Sequence, residues 1–149
     1  MASFLITAAV SNIICPKIIT DSITVLTTKL ITSIYHVISI SNDSELQQIL
    51  LSSDIIQDIE VIKSYVEEKH KENINSNSLL TCINNLNKTL IDLESNIDSI
   101  TKKIEIHKTL WLSSWRSYDI SNEKDNIIIL IKQLNHRFEL LVKISSINI

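Results

Sequence analysis

At 149 residues, 44% of them hydrophobic, the chain is long enough to bury one core without disulfides or metals, and it is read as a single domain over 1–149. A formal charge of −3 and a pI near 5.8 deny it the basic field that releases counterions from phosphates, which argues against nucleic acid as a partner. Glycine is absent and Pro16 is the one proline, so phosphate-cradling loops and glycine-dependent hairpin turns are excluded as well.

About a fifth of the residues are isoleucine, and Asn, Lys and Ser are also abundant. This is the amino-acid usage of an A/T-rich genome, such as that of some large DNA viruses, protists or low-GC bacteria. Mean hydropathy is +0.17, so much apolar surface must find cover.

The amino-terminal segment, 1–41, reads as helix interrupted at Pro16, either kinked there or split in two, because the ring and the missing N–H oppose an unbroken helix. Between Met1 and Asn42 the only charges are Lys17, Asp21 and Lys29, which leaves the segment without the broad polar face of a surface helix. Burial as the central helix of a bundle is the leading expectation, ahead of a protein partner and of membrane. No basic residue precedes the apolar stretch as in a secretory signal, and the uncharged run before Lys17 is too short to span a bilayer.

A second helix is expected over 44–71. Asn42, Asp43 and Ser44 offer N-cap oxygens, Gln47 stands where a capping box with Ser44 would place it, and Leu51, Ile55, Ile59, Ile62 and Val66 form its apolar stripe. The polar run over 72–78 reads as a loop.

The third helix, 79–112, carries the strongest pattern in the chain. Leu79, Ile83, Leu86, Leu90, Leu93, Ile97, Ile100, Ile104, His107 and Trp111 recur at alternating steps of four and three, a seam that faces a neighbouring helix. A second loop is expected over 113–121. The fourth helix, 122–147, has Ile127, Ile131, Leu134, Phe138 and Leu141 as its stripe, with Glu123 and Asp125 suited to its first turn and Lys143 to its last. Short connections between helices of similar length predict an all-α fold, an antiparallel, up-down four-helix bundle. The seam can be met within one chain or by a second copy.

No motif carries catalysis. Asp54 with Asp58, and Glu94 with Asp98, are carboxylate pairs at i, i+4, a spacing common on solvated faces, and no His or Cys spacing completes a metal site. His107, on the seam, is expected to be a hydrogen-bonded core histidine. Cys15 and Cys82 read as buried reduced thiols, a disulfide between them being the alternative.

Both tryptophans, an arginine and a tyrosine gather in LWLSSWRSY, the end of the longest helix. Trp111 and Trp115, four apart, would face the same way and cover the core and the bundle's end. The same residue types carry binding energy at interfaces, which makes Trp111, Trp115, Arg116 and Tyr118 the candidate interaction residues. The expected function is therefore a non-enzymatic, cofactor-free, intracellular and cytoplasmic scaffold, adaptor or minor structural component that binds a protein partner or its own copies through apolar helix faces, a virion component if the source is viral. A membrane-active bundle whose apolar first segment engages lipid is the alternative.

Overall fold

A computed structural model describes residues 2–70, 76–112 and 117–147, with side chains described for 18–69, 76–112 and 117–147. Every element among the described residues is helical: α1 (Ala2–Ile40), α2 (Ser44–Ser52), α3 (Ile55–His70), α4 (Asn77–Thr109) and α5 (Ser121–Ile147). Among the described residues there are five helices where four were expected, and the added break lies at Asp54.

Pro16 does not split the first segment, since α1 is assigned as one helix from Ala2 to Ile40. A proline removes one backbone donor, and the turns on either side carry the helix across the gap. The expected second helix, in contrast, breaks after Ser52. Asp54 takes φ of 54°, a left-handed conformation that no helix interior accommodates. The break shifts the phase of the apolar stripe, so α2 buries Leu46 and Leu50 while Leu51 points to solvent, and α3 restarts with Ile55, Ile59, Ile62 and Val66 inside.

The corner from α1 into α2 is tightly bonded. Asp43 caps α2 by accepting from the Leu46 N–H at 3.0 Å, and its own N–H donates to Ser41 Oγ at 3.0 Å. Gln47 forms no capping box with Ser44. Its Nε2 instead donates to the Ser41 and Ile38 carbonyls, at 2.8 and 3.3 Å, satisfying groups that the end of α1 leaves open. Lys124, near the start of α5, reaches both Asp43 and Glu45, at 3.1 and 2.9 Å, and fastens this corner to the last helix.

The seam of α4 is buried from Leu79 through Ile104, and the stripe is wider than a two-position heptad because Cys82, Thr89 and Glu94 are buried beside it. The width has a cause: α4 packs extensively on both α1 and α5, so two neighbours cover two flanks. Each fully buried Leu or Ile contributes up to roughly 1.5–3 kcal/mol.

Side-chain contacts give the helix directions. Lys29 and Ser33 both reach Glu94 while His36 reaches Glu105, so numbering climbs together along α1 and α4 and this pair is parallel. Along α4 and α5 it runs in opposition, with Arg137 on Asn85 and Thr89 at one end and Glu123 on Asn96 and Lys103 at the other. A small apolar cavity near Thr20 is lined from α1, α3, α4 and α5 together, by Thr20, Tyr65, Val66, Leu79, Ile83 and Leu141 among others. Tyr65 of α3 meets Phe138 of α5 edge to face, centroids 5.5 Å apart. The core draws on all five helices.

Helix α1 is not a central helix covered on all sides. Among the described side chains its buried positions are Ile19, Thr20, Ile23, Thr27, Leu30, Ile34 and Val37, followed by Ser41 beyond its end, a single stripe, while Ile18, Val25 and Tyr35 are exposed. One long flank lies on α4 and another on α3, and the outer face is open.

Candidate interaction surface

The end of α4 decides what the aromatic stretch does. The helix stops at Thr109, three residues before the expected limit. Leu110 leaves it at φ −77° and ψ 142°, with its N–H on the His107 carbonyl at 3.2 Å, and Leu112 turns into the left-handed region at φ 58°. Trp111 therefore stands outside the helix and cannot share a helical face with Trp115. It is 78% exposed, against the expectation that it completes the core. Trp115 and Arg116 lie outside the described residues.

Tyr118 does turn inward. It is half-buried against the core and its ring lies 4.8 Å from that of His107, tilted by 52°. His107 is accordingly a half-buried ring tilted against Tyr118 of the returning loop rather than a fully enclosed core histidine. The buried seam ends two steps earlier than its spacing suggests, at Ile104. Beyond it the loop is pinned by Lys103, whose Nζ donates to the Asp119 carbonyl at 3.2 Å and pairs with Glu123, and by the Asp119 carboxylate, which accepts from the Ser121 N–H at 2.9 Å to start α5. Ile120 is buried beneath this turn.

The result is a cluster of large apolar side chains in solvent at one end of the molecule. Ile106 is 62% exposed, Leu110 41% and Leu112 46%, beside Trp111. Leu110 and Leu112 belong to the aromatic stretch that the sequence singles out. Ile106 was missed, although its place off the seam, two residues after Ile104, is itself a signal that it faces outward.

The two carboxylate pairs lie in different settings. Asp54 occupies the break and Asp58 the first turn of α3, where burial, and then the Asp54 charge, push the Asp58 carboxyl above its ordinary value. Asp98 is exposed and bound to Lys102 at 2.9 Å, whereas Glu94, expected on a solvated face, is buried against α1. A shallow cleft between α4 and α5 is lined mainly by amides and hydroxyls, with Asp92 and Glu123 as its acids. Among the described residues there is no group of three or more His, Cys, Asp or Glu placed to hold a metal ion. Cys82 is a free thiol, so it has no disulfide with Cys15, and burial pushes its pKa up; the Cys15 side chain lies outside those described.

No family model and no solved structure matches the chain. Over 86 residues it is 29% identical to an uncharacterized protein of Acanthamoeba polyphaga mimivirus, an alignment that takes in 56% of this chain and 42% of the relative. The chain thus spans less than half of that relative's length, and the similarity, to a viral protein, agrees with a viral origin for the isoleucine-rich composition.

Proposed function

We propose that this chain is a non-enzymatic helical module, an up-down bundle in which α2 and α3 form one bent arm, and that it works by binding a protein partner through the apolar end formed by Ile106, Leu110, Trp111 and Leu112. The exposed cluster carries the reading. Four large apolar residues within seven positions, one of them a tryptophan almost wholly in solvent, are what an interface core uses and what an isolated surface avoids. Four of the ionisable groups with displaced pKa values, Asp43, Lys124, Asp119 and Glu123, are engaged in tying helix ends together, which supports the same reading. We assign it a scaffold or minor structural role inside a host cell, in the cytoplasm or in a virion; the similarity to a viral protein is compatible with that setting and names no role. The test is a photo-crosslinking residue at Trp111 in cells that make the protein, with an I106S/L112S variant as control. A defined adduct that the control loses is expected; crosslinking that ignores the substitutions refutes the assignment.

A second reading, lipid engagement by the first helix, draws on a separate observation. The stretch Ile18–Ile40 is long and apolar enough to cross a membrane, and only 28% of its most apolar window is buried. Co-sedimentation with anionic and neutral vesicles tests it, and a protein left wholly in the supernatant rejects it.

A further inference from the structure

We propose that α1 opens away from α4 as a unit while α4 and α5 stay paired, and that the buried carboxylate of Glu94 is the group that keeps this contact weak. Glu94 sits in the parallel α1/α4 interface with its side chain only 10% exposed. Its Oε1 accepts from Ser33 Oγ at 3.3 Å and lies 3.5 Å from Lys29 Nζ, both long contacts, and the Lys29 side chain is 67% exposed. Its Oε2 is buried and has no hydrogen-bond partner. An oxygen so placed has given up water without gaining a hydrogen bond, and it recovers water as soon as the two helices part.

The rest of α1 is built the same way. Two of the seven buried positions described on α1 are polar, Thr20 and Thr27, whereas the α4 seam is Leu or Ile at every step from Leu79 to Ile104, with Thr89 and Glu94 the polar groups buried beside it. Four threonine hydroxyls of α1 bond back along their own helix, Thr24 to the Thr20 carbonyl, Thr27 and Thr28 to the Thr24 carbonyl, and Thr32 to the Thr28 carbonyl, and these bonds tie α1 to itself rather than to a neighbour. Such back-bonding, with the many β-branched residues, also weakens the helix itself. α1 has one further tie to α4, His36 to Glu105 at 3.5 Å, while α4 and α5 are cross-tied by Arg137 to Asn85 and Thr89, by Asn96 to the Glu123 carbonyl and by Lys103 to Glu123, whose Oε2 is buried without a partner as that of Glu94 is. Opening α1 bares Ile23, Leu30, Ile34 and Val37 together with the facing side of α4. The inference stands whichever partner the protein takes.

Hydrogen exchange read by mass spectrometry on the full chain tests it, comparing α1 amides between Ile23 and Val37 with α4 amides between Ile83 and Ile100. In the unsubstituted protein the α1 amides exchange first. E94L, which replaces the unpaired carboxylate with an apolar side chain, slows α1 exchange about tenfold or more and alters α4 and α5 much less. S33A, which removes the hydroxyl donor, speeds α1 exchange by a few fold and provides a readout should E94L misfold. Exchange of α1 in step with α4 and α5 in the unsubstituted protein, or an E94L effect equal over all three helices, overturns the proposal.

Discussion

Leu90 and Ile91 are adjacent in sequence and opposite in environment, and truncating each to alanine measures the face that α4 turns inward. Leu90 is fully buried and Ile91 is 49% exposed. Leu90→Ala removes three buried carbons and leaves a cavity between tightly packed helices, a loss of about 2.5–5 kcal/mol. Ile91→Ala loses only partial burial and gains helix propensity, so its net change is below about 1 kcal/mol. For a chain of this length 1 kcal/mol moves the melting temperature by about 2–4 °C, which puts L90A roughly 10 °C below the unsubstituted protein and I91A within a few degrees of it. Denaturant titration followed by circular dichroism gives both free energies. Equal losses at the two positions refute the helix phase on which the whole core assignment rests.

The remaining predictions concern corners and ends. D54G is expected to raise stability by about 0.5–1 kcal/mol and D54V to lower it by at least as much, because only glycine adopts the left-handed conformation freely; the reverse order in thermal melts means that 44–70 is one continuous helix. In W115F, where Trp111 is the remaining indole, its fluorescence should be readily quenched by iodide, and adding W111S is expected to leave the melting temperature within about 2 °C; a blue-shifted, unquenched emission in W115F contradicts its position. Acid should weaken the protein through Asp43 and Glu123. For Asp43, burial works upward but the Leu46 N–H and Lys124 outweigh it, and Lys103 lowers Glu123, so both folded-state values lie below the ordinary 3.8 and 4.5. Their contribution is complete above the unfolded values and is lost as pH falls through the folded ones. A D43N/E123Q variant should therefore show a flatter decline in stability below about pH 5, and an unchanged slope disproves the linkage.

Periodicity made the helices legible, and α4 most of all. Eight positions from Leu79 to Ile104 repeat at heptad steps, and a ridge of that length has one stable use, to lie against other helices. The stripes of α3 and α5 and the capping role of Asp43 followed from equally local signals. The candidate surface was half legible: the sequence drew attention to Trp111, but it carried the helical spacing past Thr109, where the chain had already left the helix.

What the amino-acid order determined by itself is the set of buried ridges, because side-chain spacing along a helix depends on backbone geometry alone. The tertiary structure decided everything that depends on who lies opposite. Asp54 ends a helix that propensity would have continued, since the chain must turn there for both Leu50 and Ile55 to reach the same core. Glu94 and Lys124 could not be placed from their own neighbours in sequence, because their partners lie about sixty and eighty residues away on other helices. Whether a charge on a helix flank is solvated, buried or tied is fixed by the facing helix, and that is a property of packing.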